Sequence, residues 1–311
     1  MTPVPAVGRV AYLITSYVLP DQVLRLTRAL RAGSPAGAIV LHHDSRRCRV
    51  DAAALDALGV LRIEPPWRAA WGEASQLELV LRCLRWLLDS VDFDWIVLLS
   101  GQDYPIRPVA EIERSLAEAD VDAFIEARSV ARPALRRGRV DEFARRYHFR
   151  WQRIPEGAWR AARVAARAGP LVQVRRMPSG PWMGIWALGS PFDARMVCHR
   201  GGDWFTLSRR AVDAVDRFQR SRPDVLRHYA RTLIPTESFV QTVLANDPAI
   251  RLSGDTRRFT RWEPGAARPR VIELGDLPEL LASPCDFARK FDPTIDRAVL
   301  DALDDRIQPE G

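Results

Sequence analysis

The chain has 311 residues, 47% hydrophobic and 27% charged, a balance typical of globular proteins that excludes disordered, collagenous and disulfide-scaffold classes. Its formal net charge is +7, but all except one of the 46 cationic residues are arginine, and Lys290 is the only lysine. This skew resembles a GC-rich coding bias more than selection for binding to nucleic acid. We therefore expect no nucleic-acid partner.

The chain contains no apolar run of about 18 residues or more, so no transmembrane helix is expected. The segment MTPVPAVGRV lacks the charged and apolar regions of a secretory signal, which favours a cytoplasmic protein. The cysteines lack C-x-x-C spacing, which predicts reduced thiols rather than a zinc site, a redox pair or disulfides. They are Cys48, Cys83, Cys198 and Cys285.

The first part of the chain alternates strand and helix patterns. Buried-strand runs are predicted at 9–14, 38–44, 60–65 and 93–100, and helices at 21–32, 74–91 and 109–119, with a turn-like segment at 100–106. This alternation predicts an α/β fold with a mostly parallel central sheet flanked by helices. Ligands in such folds bind beyond the carboxyl ends of the strands.

The pattern changes between 128 and 182, where Arg, Trp and Pro are abundant and no strand is predicted. A basic helix is expected at 159–168; because its apolar face is mostly alanine, a solvated helix is favoured over a membrane-binding one, and peripheral membrane contact stays open. Downstream, we predict a strand leading into a helix at 201–218, a helix at 234–247, strands at 257–262 and 270–274, a helix at 278–283 and a C-terminal helix.

Glu237 is a candidate general base. It follows Thr236, a suitable N-cap, and lies in the first turn of the helix predicted at 234–247, where free backbone amides and the helix dipole stabilise an ionised carboxylate. Such a carboxylate can accept a proton at neutral pH. Acidic residues are also common in first turns for helix stability alone, so position leaves both interpretations open.

Three acidic positions are candidates for ligand or metal contacts. Asp44 and Asp103 each follow a strand run, at the ligand-binding edge, although loop capping accounts for either one equally well. Asp92 and Asp94 form a D-x-D pair, but they precede their strand and lie at the opposite edge, so no metal is predicted there. The sequence also lacks the glycine-rich phosphate loops, H-E-x-x-H and G-x-S-x-G.

If the ligand carries a diphosphate and no metal is present, fixed cations must stabilise the leaving group. The C-terminal region supplies these cations, although in so arginine-rich a chain each arginine is individually uninformative. They are Arg257, Arg258, Arg261, Arg268, Arg270, Arg289 and Lys290.

Five ordered blocks resemble the core-2/I-branching N-acetylglucosaminyltransferases and the related peptide O-xylosyltransferases. They are WGEASQLELVLRCL at 71–84, DWIVLLSGQDYPIRP at 94–108, GGDWFTLSRRAVDAV at 201–215, PTESFVQTVLAND at 235–247 and CDFARKFDP at 285–293. The resemblance covers 9–293 and is weakest at 128–182. It implies a GT-A-like fold, a UDP-sugar donor and inverting transfer without a metal or other cofactor.

The resemblance also implies roles for individual residues. The block PTESF carries the family's catalytic carboxylate, which corresponds to Glu237. The block FARKFD carries a diphosphate-binding lysine, which corresponds to Lys290, with Arg268 or Arg270 as its arginine partner and Arg261 as a third candidate. The remaining implied contacts are Thr15, Asp44, Trp71 and Asp103 to the donor and Trp204 to the acceptor.

A single catalytic domain over 1–311 is expected, with a nucleotide-sugar-binding half at 1–127, an acceptor and catalytic half at 128–250 and a diphosphate-binding extension at 251–311. The donor sugar, GlcNAc or xylose, and the glycan or glycoside acceptor stay open. The animal enzymes that this chain resembles have a membrane anchor and many cysteines, and from this sequence we expect neither feature. The alternative is an inactive UDP-sugar-binding or carbohydrate-binding protein of the same fold.

Overall fold

The computed structural model describes residues 9–132, 141–266 and 268–307. The strands are β1 (Val10–Ser16), β2 (Ala38–His43), β3 (Leu61–Arg62), β4 (Trp95–Ser100), β5 (Asp103–Pro105), β6 (Ala123–Phe124), β7 (Arg128–Ser129), β8 (Phe149–Arg153), β9 (Val172–Met177), β10 (Gly180–Trp186), β11 (His199–Arg200), β12 (Thr206–Ser208), β13 (Arg258–Thr260) and β14 (Phe287–Arg289).

The α-helices are α1 (Pro20–Gly33), α2 (Ala52–Ala57), α3 (Ala74–Ser90), α4 (Val109–Ala117), α5 (Glu142–His148), α6 (Trp159–Arg167), α7 (Arg209–Ser221), α8 (Pro223–Tyr229), α9 (Phe239–Ala245), α10 (Leu277–Ala282) and α11 (Ala298–Ile307). Short 3-10 turns occupy Glu156–Ala158, Pro235–Glu237 and Leu274–Asp276. Within the described residues no helix is both long and apolar enough to cross a membrane.

The central sheet has the strand order β3-β2-β1-β4-β12-β6. The first four strands are parallel, whereas β12 runs antiparallel to both β4 and β6. The parallel strands are apolar runs because helices cover both faces of the sheet. The expected α/β class, with a mostly parallel sheet flanked by helices, is confirmed and is consistent with a GT-A-like fold.

Alternate residues of the central strands contribute to two separate apolar layers. Leu13 and Leu98 point to the layer shared with α3, α7 and α9. Tyr12 and Val97 point to the opposite layer, shared with α1, α4 and α11. This alternation follows from the two-residue period of a strand. The sheet is thereby held rigidly between two helical layers, with its carboxyl edge free for the site.

A second sheet, β8-β10-β9, is antiparallel and lies in the region where no strand was predicted. Phe149, Trp151 and Trp186 form a small apolar cluster with Leu233 and Ile234 on its inner side. Arginines interrupt the pattern of β8 (FRWQR) and β9 (VQVRRM), and β10 (GPWMGIW) contains glycine and proline, which are unfavourable in strands. Sequence reasoning missed them for that reason.

The third sheet, β13-β14-β5, joins the C-terminal region to the segment after β4. In this sheet β14 is parallel to β13 and antiparallel to β5, which makes Asp103 the cross-strand neighbour of Arg289. The turn expected at 100–106 therefore contains a strand. The strand expected at 270–274 is absent; instead Ile272 N donates to Lys290 O at 2.9 Å before the chain enters a 3-10 turn.

The helix predicted at 234–247 is also corrected. Its first turn is a separate 3-10 turn, Pro235–Glu237, and α9 begins at Phe239. The break arises at Ser238, whose φ of −146° is not helical. Thr236 is not an N-cap: its hydroxyl is buried and makes no hydrogen bond to the described residues. The position of Glu237 thus depends on tertiary contacts rather than on a helix start.

Candidate active site

The turn that carries Glu237 is held by backbone hydrogen bonds from two distant segments. Ile234 N donates to Gly72 O at 2.8 Å, and Gly201 N donates to Glu237 O at 2.8 Å. Ile234 adopts a left-handed conformation with φ of 50°, which turns the chain sharply before Pro235. These contacts fix the backbone, while 24% of the Glu237 side chain is exposed. The carboxylate is therefore both positioned and reachable.

Arg146 of α5 binds the Glu237 carboxylate. Its Nη1 lies 2.7 Å from Glu237 Oε2, and its Nη2 lies 2.6 Å from Glu142 Oε1. Arg175 of β9 also binds Glu142, at 2.9 Å. Arg146 is 11% exposed, so this charge pair lies in a weakly solvated environment. Sequence reasoning missed Arg146 because it lies in the arginine-rich segment of weakest resemblance.

The pKa of Glu237 is raised to about 7. Burial is the main cause and the negative charge of Asp203 adds to it, while Arg146 lowers the pKa. A carboxyl group with a pKa near 7 exchanges its proton readily at neutral pH, which is the property a general base requires. The environment of Glu237 therefore suits proton abstraction beyond what its sequence position indicated.

Asp203 is a second carboxylate of this site, and sequence reasoning did not select it. Its Oδ1 is buried and accepts no hydrogen bond from the described residues. Burial raises the pKa of Asp203, while the neighbouring Thr236 side chain and then the positive charges of Arg289 and Arg146 lower it. The signal was present in the block GGDWF, from which only Trp204 was chosen. Asp203 is therefore near enough to both Arg146 and Arg289 for their positive charges to favour its ionised form.

Arg289 lies over the ring of Trp204, with its Cζ 4.2 Å from the ring centroid. Its Nε is 3.2 Å from Oδ1 of Asp103, whose Oδ2 accepts a hydrogen bond from Ser100 N at 3.1 Å. Asp103 is fully buried, and burial raises its pKa while Arg289 lowers it. Arg289 is thus held by two neighbours, the Asp103 carboxylate and the Trp204 ring.

Lys290, which follows Arg289 in the chain, and Arg268 bring two more cations near Arg289. Burial lowers the pKa of Lys290, and the positive charges of Arg268 and Arg289 lower it further. Arg268 is exposed, and neither it nor Lys290 forms an ion pair within the described parts of the chain. Arg289 is paired with Asp103, whereas Lys290 and Arg268 are left without ion pairs, the arrangement expected for an anion-binding surface.

The two other arginine candidates are already neutralised. Arg270 Nη2 lies 2.6 Å from Asp276 Oδ1, and Arg270 also pairs with Glu263 at 3.3 Å. Arg261 pairs with Glu279 and lies 3.7 Å from Asp276. Of the three arginines left open by the sequence, the geometry favours Arg268 as the companion of Lys290.

Thr15 and Asp44 lie at the carboxyl edge of the central sheet. Thr15 is the register partner of both His42 and Ser100, and its hydroxyl donates to Leu99 O at 3.4 Å. The Asp44 carboxylate accepts a hydrogen bond from Arg46 Nε at 2.7 Å, and Arg46 lowers the pKa of Asp44. Both residues thus lie at the carboxyl edge of the sheet, and their contact with a donor stays a prediction.

A cavity of about 180 Å³ opens beside this edge. It is lined by residues of β2, β3 and the segments that follow them, including His43, Ser45 and Arg62. His43 Nδ1 lies 2.8 Å from Ser16 Oγ. The cavity adjoins Asp44 in the chain and provides a concave surface at the sheet edge where ligands bind in α/β folds.

Trp71 is 48% exposed, and the segment that carries it is bonded to the turn that carries Glu237. The next residue, Gly72, has φ of +76°, and a Cβ there would lie 2.6 Å from Met177 Cε. Gly72 N also donates to Gln76 Oε1 at 2.8 Å. The positive φ favours glycine here, so the backbone that carries Trp71 is held beside the Glu237 turn.

Asp92 and Asp94 precede β4 at the amino edge of the sheet, as the sequence indicated. Both are bound by Arg9, whose backbone N lies 2.8 Å from Asp94 Oδ2. Across the described residues, no three His, Cys, Asp or Glu side chains are grouped to hold a metal ion. The D-x-D pair therefore acts as an anchor for the chain at the start of β1.

Residues 10–281 match the family model for core-2/I-branching enzymes. The chain belongs to the core-2/I-branching enzyme family. The matched region contains β1, the central sheet, Glu237 and Arg268, and it ends before β14, which carries Arg289. The family resemblance identified from the five sequence blocks is thereby confirmed.

Among curated proteins, this family member is similar to the xylosyltransferases. Xylosyltransferase 2 of Rattus norvegicus is 28% identical over 261 residues, which cover 77% of this chain and 26% of that protein. Xylosyltransferase 1 of Homo sapiens is 27% identical over 273 residues, covering 77% of this chain and 24% of that protein. The chain thus spans about a quarter of the length of these relatives.

A solved structure named as a glucose-1-phosphate thymidylyltransferase of Bacillus anthracis, in complex with a sucrose, also matches. The TM-score is 0.31 at 8% identity, covering 66% of this chain and 74% of that chain. A likeness this distant carries no argument about the site of this core-2/I-branching family member, which depends on its own residues.

Proposed function

We propose that this family member is an inverting glycosyltransferase that moves a sugar from a UDP-sugar to an acceptor hydroxyl. The observation that carries the proposal is the pairing of opposite chemistries in one site. Glu237, a reachable carboxyl with a pKa of about 7, lies in a turn bonded to Gly201, and Trp204 of the same segment lies under Arg289, the neighbour of Lys290. Arg268 is near enough to lower the pKa of Lys290. A base and an anion-binding group are the two requirements of this reaction.

In the proposed step, Glu237 removes the proton from the acceptor hydroxyl. The acceptor oxygen then bonds to the anomeric carbon from the face opposite UDP, and the bond between that carbon and the β-phosphate oxygen breaks. The electron pair of the broken bond stays on UDP, where Lys290 and Arg268 stabilise the added charge. One displacement of this kind inverts the configuration of the anomeric carbon.

Arg289 has a supporting position in this scheme. Its guanidinium lies over Trp204 and beside Asp103, so its orientation is fixed before a ligand arrives. Fixed charges stabilise a leaving group without the cost of reorganisation. Asp103 accordingly acts through Arg289 rather than by touching the donor, and Trp204 borders both the donor and acceptor sides.

The donor nucleoside is proposed to bind at the carboxyl edge of the sheet. Thr15 and Asp44 lie at the ends of β1 and β2, and the cavity is lined by His43 and Ser45, the chain neighbours of Asp44. The segment that carries Trp71 is bonded to the Glu237 turn. The family relatives named as xylosyltransferases support xylose as the first sugar to test, with GlcNAc next. The acceptor is a glycan or glycoside, and the cytoplasmic location stays a prediction from the sequence.

A screen of UDP-xylose, UDP-GlcNAc, UDP-galactose and UDP-glucose in the presence of EDTA tests the proposal directly. We expect UDP release with at least one donor and no gain on adding manganese, because the leaving group is stabilised by side chains. Turnover that disappears with EDTA and returns with manganese would contradict the metal-independent mechanism. Binding of UDP with no transfer or hydrolysis of any donor would favour the inactive binding protein instead.

The substitution Glu237→Gln tests the base. We expect transfer to fall by about 10²-fold or more, since the amide cannot accept the proton, while UDP affinity is retained. Isothermal titration with UDP and a UDP-release assay measure the two quantities. Glu78→Gln is the matched control, because Glu78 is an exposed residue of α3 outside the site. Unchanged turnover in Glu237→Gln would remove Glu237 from the proposed role.

A further inference from the structure

The part of the chain that forms α6, β9 and β10 has a one-sided charge. From residue 157 to residue 192 the sequence contains no Asp or Glu. The same stretch contains five arginines, namely Arg160, Arg163, Arg167, Arg175 and Arg176. Elsewhere in the chain acidic residues accompany the arginines and form many ion pairs with them. Arg175 and Arg176 pair with Glu142 and Glu156, so the local concentration of unpaired positive charge lies in α6.

The outer face of α6 presents three of these arginines together. Ala162 is the buried residue of the helix, and α6 packs against β9. Arg160, Arg163 and Arg167 follow helical spacing on the side opposite Ala162. All three are exposed, and none forms an ion pair or a side-chain hydrogen bond within the described ranges.

Exposed apolar side chains lie beside these arginines. Val164 is on the same face of α6 and is 66% exposed. At the adjoining end of the second sheet, Leu171, Ile185 and Leu188 are 48%, 47% and 89% exposed. Trp186 N donates to Leu171 O at 2.9 Å, which brings the start of β9 next to the end of β10. Leu188 is the most exposed large hydrophobic residue in the described parts of the chain.

Arg150 extends the positive charge to this apolar end. It is the register partner of Ile185 across the β8–β10 pair, and its Nη2 lies near Gly189. We call the surface formed by Arg150, Arg160, Arg163, Val164, Arg167, Leu171, Ile185 and Leu188 the α6 surface. Cations interspersed with protruding aliphatic side chains are the combination that binds the interface of an anionic membrane.

We propose that the α6 surface docks the protein onto an anionic lipid bilayer. The arginines approach the phosphate headgroups, and Val164, Leu171 and Leu188 enter the boundary between headgroups and acyl chains. A soluble anionic polymer requires only the cations and gives no role to a leucine that is 89% exposed. This docking is independent of the proposed transfer reaction, so the two can be tested apart.

Vesicle sedimentation measures the docking. The protein is mixed with vesicles of phosphatidylcholine alone or with added phosphatidylglycerol, and we expect binding only to the anionic vesicles, weakening as salt is raised. The triple substitution Arg160→Gln, Arg163→Gln, Arg167→Gln should weaken binding by on the order of 100-fold, from about five-fold for each arginine.

A matched control removes the same charge elsewhere. Arg28, Arg114 and Arg217 are exposed residues of α1, α4 and α7, and none forms an ion pair among the described residues. Their triple substitution by Gln lowers the net charge equally, and we expect it to leave vesicle binding within a few-fold of the original protein. If both triple variants lost the same affinity for anionic vesicles, net charge alone would drive binding. That result would overturn the assignment of docking to the α6 surface.

The apolar contribution has its own test. We expect the pair Leu171→Ser, Leu188→Ser to weaken binding to anionic vesicles by ten-fold or more, since each removes an inserted aliphatic chain (roughly 10-fold per two buried methylenes). The control pair, Leu274→Ser with Ile295→Ser, replaces residues that are 43% and 59% exposed outside this surface and should have little effect. Thermal melts verify that all variants are folded.

Two other outcomes would overturn the proposal. Sedimentation that does not differ between neutral and anionic vesicles would exclude an electrostatic membrane surface. Binding to a soluble sulfated polysaccharide that depends on Arg160, Arg163 and Arg167, without any binding to vesicles, would assign the α6 surface to an anionic polymer instead.

Discussion

The proton affinity of Glu237 results from two opposed neighbours. Asp203 raises its pKa and Arg146 lowers it, so the two substitutions should move the acid limb of the pH–rate profile in opposite directions. The base must be ionised, and kcat/KM of the original protein should therefore rise with pH to a plateau above about pH 7. We expect the limb to move upward in Arg146→Met and downward in Asp203→Asn.

The measurement is kcat/KM with the best donor between about pH 5 and about pH 9, fitted for the acid limb. Glu78→Gln again serves as the control and should not move the limb. Shifts of the same sign in Arg146→Met and Asp203→Asn would show that the limb does not report the ionisation of Glu237.

The cation group makes a separate prediction about affinity for UDP. Lys290→Gln and Arg268→Gln should each weaken UDP binding by about ten-fold or more, because each removes a cationic side chain that is proposed to bind the diphosphate. Arg270→Gln is the matched control, since Arg270 is engaged by Asp276 at 2.6 Å and should leave affinity nearly unchanged. Calorimetric titration with UDP checks this, and a larger loss in Arg270→Gln than in Arg268→Gln would reverse the assignment.

At the scale of single residues, the sequence indicated Glu237 and Lys290 through short blocks and left three arginines open. It missed Arg146, which binds Glu237 across 91 positions of the chain. It also missed the role of Asp203, because burial and the charges around a carboxyl group are properties of the folded chain. Spacing along a sequence does not encode them.

At the scale of elements, Gly72 connects the Trp71 segment to the Glu237 turn. Gly72→Ala should destabilise the protein by about 1–3 kcal/mol, because a φ of +76° is strained for alanine and its Cβ meets Met177. Urea unfolding measures the loss, and UDP-sugar turnover should fall with it. Gly157→Ala, where a Cβ meets nothing within 4 Å, is the control and should be close to neutral.

The sequence predicted the parallel core well. A short, continuous apolar run such as WIVLLS is typical of a strand that helices cover on both faces. Sequence reasoning failed on the second sheet, where arginines in β8 and β9 and the glycine and proline residues of β10 obscure the strand pattern. It also failed at 234–238, where a helical pattern yields to a left-handed Ile234 and a non-helical Ser238. Tertiary hydrogen bonds from Gly72 and Gly201 decide the backbone there.

At the scale of the whole molecule, Glu237 should reduce stability at neutral and higher pH. Its pKa of about 7 exceeds the usual 4.5, so the folded state binds the proton more tightly and the free energy of unfolding falls as pH rises between these values. We expect Glu237→Gln to raise stability by on the order of 1 kcal/mol at about pH 8 and to have little effect at about pH 4.

Urea unfolding at the two pH values checks this, with Glu78→Gln as the control. A stabilisation that is equal at both values would contradict the link to ionisation. The burial that raises the pKa of Glu237, and so suits it to its proposed role, also lowers the stability of the protein at neutral pH.

The antiparallel strand β12 has a consequence for synthesis of the chain on the ribosome. It covers the edge of β4, and Thr206 pairs with Val97, so the covering strand is made on the order of 100 residues after the edge it protects. At about 5–20 residues per second, the β4 edge waits roughly 5–20 s for its partner. During that interval an open, apolar strand edge is available to other chains, and we expect nascent-chain chaperones to protect it.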